Sequence, residues 1–290
     1  NFALQPKYKR IFDDGYEVDT IIKNISRLDT SLVFLPGETL LFFDELQDVE
    51  IKQQINNLDI CKRCKVDAVI CTARHGDHHY DHAMPYIKAG IPCFIDKPFT
   101  VDTAKAEEMI AAAKESGALL CGGSVLKYLQ GLENIQKYIA DGGEVIGGNI
   151  MAPIDLINPY GGFFFYSAHL VEMMLTAFGD GIKSVYARCL DENNKRVTFI
   201  ADYGDFDVTG QYYQGASYIC TMYAKNESIS AEGYNGKYNL GAHFKDELNE
   251  FFTMLETKTQ PFSYERQILP VKVLNAIYES YKTGKEVAVK

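Results

Sequence analysis

The triplet Asp96-Lys97-Pro98 closes the short apolar run 92–95, and of all the residues in this chain it is the one best placed for chemistry. Open α/β sheets bind ligands outside the carboxyl ends of their strands, so a lysine there is a fixed cation facing a crevice. The polar loop 72–77, with Thr72 and Arg74, follows a second apolar run and points toward the same crevice. Beside it, HGDHHYDH puts four of the six histidines between His75 and His82. His78 and His82 are spaced to share a helix face, and with Asp77 and Asp81 nearby a divalent cation is conceivable. Polar side chains and open backbone N–H groups bordering a crevice explain that composition better, so no metal is expected. Cys61 and Cys64 have the spacing of half a zinc site, but structural zinc takes four ligands and no second pair follows.

These residues need elements to hold them. The run 66–71 is apolar and β-branched, as in a strand buried on both faces of a parallel sheet. Residues 80–89 place Ala83, Met84 and Ile87 at helical spacing, Gly90 supplies a stop, and 92–95 is a second strand. A helix over 101–116, with Asp102 and Thr103 at its start and Gly117 after it, leads to a third strand, ALLCGG. Beyond Lys127, the runs GGNIMAPIDL, SVYARCL, RVTFIADY, DVTGQYYQ and YICTMYAK predict a mostly antiparallel sheet, with helices over 163–178, 243–256 and 270–283. The expected fold class is α/β, a partial doubly wound (Rossmann-like) parallel sheet followed by an α+β domain. The expected division is 1–60, 61–125 and 126–290. Nineteen tyrosines without a tryptophan suit a sheet with one packed face and one face near a polar ligand.

Composition narrows the partners. A net charge of -10 argues against nucleic acid and anionic membrane, and points to a small-molecule substrate. No apolar run is long enough to span a bilayer and the first residues do not resemble a signal peptide, so a cytoplasmic location is expected. The seven scattered cysteines then read as reduced thiols.

From about Lys65 to Lys290 the chain resembles the Gfo/Idh/MocA family of NAD(P)-dependent oxidoreductases. Thr72 matches the family's Thr-Pro-Asn loop, with Ala73 and Arg74 in place of Pro and Asn. His79 fits its helix-opening histidine, and Asp96-Lys97-Pro98 its Glu-Lys-Pro. Gly161-Gly162 followed by SAHLVEMM resembles the family's glycine pair and catalytic helix, placing His169 and Glu172 in register and Phe165 where the family has an Asp. The resemblance implies NAD or NADP as cofactor, held by Thr72, Arg74, His79, Asp96, Lys97 and Pro98. It implies Lys97 and His169 as catalytic residues and Tyr166 and Glu172 on the substrate side, with either one a substitute partner for His169. Alcohol oxidation needs a base for the hydroxyl proton and a cation for the developing oxyanion, and these two residues supply both. The implied reaction is hydride transfer between the nicotinamide cofactor and a sugar or polyol, with a homo-oligomer formed through the C-terminal sheet.

The first sixty residues do not carry the G-x-G-x-x-G turn that the resemblance calls for. The run IIKNISRLDTSLVFLPGETLLFFDELQDV instead resembles a bacterial AAA-like P-loop ATPase, with 40–43 as a Walker B strand and Asp44-Glu45 as its acids. No phosphate loop accompanies it, so ATP hydrolysis is not expected. The sequence-level expectation is a truncated and fused oxidoreductase, joined near 48–65, with 40–43 available to pair beside 66–71. The alternative is a non-catalytic ligand-binding or assembly protein derived from such an enzyme.

Overall fold

The computed structural model describes Arg10, Asp14 and residues 18–30, 66–191, 196–233 and 240–290. Residues 40–45, Cys61, Cys64 and the join at 48–65 lie outside the described residues, and so does any pairing of 40–43 with 66–71. The first described element is helix α1, Val18–Leu28.

Next comes a strand and helix repeat: β1 (Val69–Cys71), α2 (His78–Lys88), β2 (Cys93–Asp96), α3 (Thr103–Ser116) and β3 (Leu120–Gly123). Among the described residues the three strands form a parallel sheet in the order β1-β2-β3, with Val69 opposite Cys93 and Cys93 opposite Leu120. The predicted alternation is confirmed, with strands shorter than the apolar runs. Helix α3 starts where its cap dictates: the Asp102 carboxylate accepts from the Lys105 N–H at 3.0 Å. It ends at Gly117, which takes the left-handed conformation at φ 76°. One sheet face is covered by Ala83 and Ile87 of α2 and by Met109, Ile110 and Ala113 of α3. Each large side chain fully buried there stabilises the fold by about 1.5–3 kcal/mol.

A single-turn 3-10 helix (Val125–Tyr128) and helix α4 (Leu132–Ala140) lead to β4 (Val145–Ala152) and helix α5 (Phe163–Phe178). Strands β5 (Ser184–Asp191), β6 (Arg196–Asp202), β7 (Asp207–Tyr213), β8 (Tyr218–Ala224) and β9 (Ser228–Gly233) follow. The chain closes with α6 (Leu240–Thr257), α7 (Tyr264–Thr283) and β10 (Val287–Ala288). The second sheet runs β10-β5-β6-β7-β4-β8-β9 among the described residues. It is mostly antiparallel as expected, but β4 and β7 pair in parallel. The meander β5-β6-β7 enters from the far side and returns β7 alongside β4 in the same direction. Helix α5 is largely apolar and lies on the inner face, with Leu170, Val171, Met173 and Met174 packed among Phe199, Val208, Tyr212 and Met222. The Tyr212 hydroxyl donates to the Ser167 carbonyl at 2.8 Å and ties helix to sheet.

Two helices depart from expectation. Helix α7 begins two turns before Pro270, because Ser263 caps it by accepting from the Arg266 N–H at 3.1 Å. Helix α6 does not stay with the antiparallel sheet. Its Phe251 and Met254 cover the open face of the parallel sheet against Ala68, Phe94 and Cys121. No helix among the described residues is long and apolar enough to cross a membrane. The described cysteines are free thiols.

Candidate active site

Lys97 stands at the carboxyl end of β2, as the strand pattern predicts. Its peptide with Pro98 is cis, and its N–H donates to the Asp96 carboxylate at 2.7 Å. His79 lies beneath, fully buried, with Nδ1 donating to the Pro98 carbonyl at 2.7 Å. Burial pulls the His79 pKa down to about 4, against the opposing effect of that carbonyl. His79 therefore supports the Lys97 turn rather than lining the crevice. The loop before α2 also packs on this turn, since a Cβ on Gly76 would sit 2.4 Å from the Pro98 ring.

The Lys97 ammonium meets the amino end of α5. It donates to the Phe165 carbonyl at 3.0 Å and lies 4.5 Å from the Phe165 ring centre and 5.1 Å from that of Tyr166. Burial lowers its pKa, and the Asp96 carboxylate partly opposes that shift. One turn further along α5, His169 is 7% exposed and its Nδ1 is 2.7 Å from the Ser124 hydroxyl. Its ring packs between Tyr166 and Tyr218, with centres 5.7 and 5.6 Å away. Burial first, and the Lys97 ammonium second, hold its pKa well below the usual 6.5. The imidazole is thus neutral at physiological pH, beside a half-buried cation and within an aromatic enclosure.

Ser124 escaped the sequence reasoning, which offered Tyr166 or Glu172 as partners for His169. Tyr166 contacts the imidazole only through its ring. Glu172 turns away, to Arg266 at 3.6 Å and to Gly123, where a Cβ would sit 2.6 Å from its Oε1. That contact requires glycine, which also adopts φ 96° here. The one available signal was a polar residue directly after the third parallel strand.

Arg74 and His75 form the rim of the crevice. The Arg74 guanidinium lies 5.3 Å from the Tyr160 ring centre and reaches its hydroxyl at 3.4 Å, while His75 packs on Gly161. These contacts join the loop after β1 to the glycine pair before α5. Thr72 sits at the end of β1, half-buried. The structure therefore gathers Lys97, His169, Tyr166, Asp96 and Pro98 at one place, with Thr72 and Arg74 at its edge. The histidine cluster forms a stack instead of a ligand set, with His75 and His78 ring centres 5.1 Å apart. No group of three metal-ligating side chains occurs among the described residues.

A second concavity, of about 520 Å³, lies along the far half of α5. Lys127, Tyr128, Glu172, Glu250, Phe262 and Arg266 line it. Its charges are already paired: Lys127 with Glu250 at 2.7 Å, and Arg266 with Asp180 at 2.9 Å.

Residues 41–123 match the Gfo/Idh/MocA family, described as an oxidoreductase family with an NAD-binding Rossmann fold. That match supports the resemblance over the parallel sheet. It also begins at residue 41, so Asp44 and Glu45 fall inside the matched segment.

Among curated proteins, the inositol 2-dehydrogenase/D-chiro-inositol 3-dehydrogenase of Lactiplantibacillus plantarum is 28% identical over 134 residues, 45% of this chain and 37% of the relative. The 2,7-anhydro-N-acetylneuraminate hydratase of Mediterraneibacter gnavus is 29% identical over 136 residues, 46% of this chain and 34% of the relative. The chain thus spans about a third of the length of the curated relatives it matches. The crystal structure of myo-inositol 2-dehydrogenase from Lactobacillus plantarum superposes with a TM-score of 0.70 at 15% identity, over 81% of this chain and 84% of that one. At that identity the likeness establishes the shared fold.

Proposed function

We propose that the protein is an NAD(P)-dependent oxidoreductase acting on a secondary alcohol of a sugar or polyol, and that residues 41–64 belong to its dinucleotide-binding part. The observation that carries this reading is that the Lys97 ammonium and the buried imidazole of His169 both lie against the Tyr166 ring at the carboxyl end of the parallel sheet, 5.1 and 5.7 Å from its centre. The residues present fit the nicotinamide end of such a cofactor: Thr72, Arg74, Asp96 and Pro98 surround the crevice that Lys97 enters, and would hold it there. When bound, NAD or NADP supplies the donor or acceptor of the hydride. Lys97 fixes the substrate oxygen and stabilises negative charge on it. His169 shares that oxygen, and the two side chains hold or move its proton. Tyr166, Tyr218 and the Phe165 ring exclude water and offer flat apolar surface to the carbon face of a ring. The inositol dehydrogenase and sialic-acid-derived relatives make hydroxylated rings the first substrates to try.

The test is a thermal-shift titration with NADH and NADPH, followed by turnover of myo-inositol and common monosaccharides read as reduced-nicotinamide absorbance. A ligand that binds only the native state must raise Tm. The expected result is stabilisation by one of the two cofactors. No shift from either at millimolar concentration overturns the proposal in favour of a non-catalytic ligand-binding or assembly protein, a reading that the Phe165 carbonyl bond to Lys97 favours. The outer face of the second sheet exposes Tyr186, Leu190, Ile200, Tyr213 and Tyr223, and we assign it to association between copies. Light scattering showing a monomer at micromolar concentration would remove that assignment.

A further inference from the structure

We propose that Ser124 is a positioning residue that holds His169 as its neutral Nε2–H tautomer, so that the imidazole meets the substrate oxygen as a hydrogen-bond donor. This rests on the oxidoreductase reading for its consequence, though not for its test. A hydroxyl carries one proton and two lone pairs. The Ser124 oxygen spends one lone pair on the Leu126 N–H, at 3.1 Å, which caps the turn after β3 and fixes the oxygen in space. Its other contact is His169 Nδ1 at 2.7 Å.

Two arrangements satisfy that distance, and burial separates them. If Nδ1 carried the proton, the serine oxygen would accept twice and its own proton would have no acceptor. Ser124 is 0% exposed, out of reach of bulk water, and its hydroxyl has no third partner among the described residues. A stranded buried donor costs about 1–3 kcal/mol, whereas donation from Ser124 to Nδ1 leaves nothing unpaired. The ring proton then resides on Nε2, the nitrogen left for a ligand.

The one charged group acting on the imidazole agrees with a neutral ring. Lys97 at the end of β2 is a cation and opposes protonation, while Tyr218 of β8 and Tyr166 of α5 present neutral rings. A carboxylate partner would instead draw a proton onto Nδ1 and free Nε2 as a base. With serine there, His169 Nε2–H stays a donor to the substrate oxygen, and Lys97 exchanges the proton: the ammonium gives it to the new alkoxide in reduction, and the amine form of Lys97 takes it from the hydroxyl in oxidation.

The test is nitrogen NMR of the histidine-labelled protein without cofactor, which reads the tautomer whether or not the protein is an enzyme. The wild-type protein is expected to show a protonated Nε2 and an unprotonated Nδ1 on His169, unchanged between about pH 5 and 8. Ser124→Thr should keep that signature, and Ser124→Ala should lose it. In turnover, Ser124→Ala should lower kcat roughly tenfold or more with little change in KM, and Ser124→Thr should restore it. A protonated Nδ1 in the wild type, a ring that titrates near 6.5, or an unchanged tautomer in Ser124→Ala would each overturn the proposal. Should Ser124→Ala fail to fold, the wild-type and Ser124→Thr spectra still decide between the two tautomers.

Discussion

The two ends of helix α5 lie in the same protein interior and solve opposite electrostatic problems. At its amino end, half-buried Lys97 lies against a carbonyl and two aromatic rings, and buried His169 against a serine hydroxyl. No carboxylate bonds to the Lys97 ammonium or to the His169 ring; Asp96 accepts only from the Lys97 backbone N–H. Towards its carboxyl end, Glu172 and Asp180 meet Arg266, and Lys127 meets Glu250 across a cavity. Paired charges hold structure together. Charges buried without an opposite partner have displaced pKa values and remain available to a ligand.

Lys97→Met should break the comparison most visibly. Turnover is expected to fall about 10²- to 10³-fold, the usual cost of one lost oxyanion donor, while Tm holds or rises because a half-buried charge is gone. A parallel fall in Tm would mean that Lys97 is structural.

Acid tests the same end without mutation. His79 has a folded pKa of about 4 and an unfolded one near 6.5, so between these values the unfolded chain binds the extra proton. Stability should therefore be fully present above about pH 6.5 and decline toward pH 4, by up to about 3 kcal/mol from this residue. Urea melts across that range would show the slope, and His79→Gln should flatten it.

At the paired end, Arg266→Ala leaves Glu172 buried without its cation. A loss of about 1–3 kcal/mol in urea melts is expected, with kcat nearly unchanged. A kcat loss comparable to that of Lys97→Met would erase the distinction between the two ends.

A last prediction concerns Glu247 of α6, whose carboxyl burial pushes up to about 8, with the Asp96 charge adding to the rise and Lys127 opposing it. Its folded pKa exceeds its unfolded one, so its contribution is present below about pH 4.5 and is lost as pH rises toward 8. Glu247→Gln should raise Tm at pH 8 and leave it unchanged at pH 4.5.

The sequence disclosed elements where local physics decides them. Residues 163–178 read as a helix because the glycine pair and SAHLVEMM resemble the family's catalytic helix, and those are its observed limits. Asp102 and Gly117 announced both ends of α3. The parallel pairing of β4 with β7 was hidden, because a period of two says which face a residue takes and not which strand lies beside it. The start of α7 was hidden by Pro270, whose usual place in the first turn outweighed the Ser263 cap upstream. In the site, Lys97 could be placed from a strand end alone, and Phe165 could be seen to stand where an acid was expected. What replaced that acid was not visible. Ser124 is distant from His169 in sequence, and only the fold brings them into contact.

Helix α7 has a mechanical consequence. Its first half seats Ile268 and Val271 in the core under the parallel sheet, and its second half seats Val273, Leu274 and Ile277 in the core under the larger one. A continuous helix gripped by two interiors works as an axle with both wheels fixed. Opening the crevice by swinging one sheet from the other would bend that axle or pull side chains from a packed interior. The slot between the sheets accordingly has a set gauge.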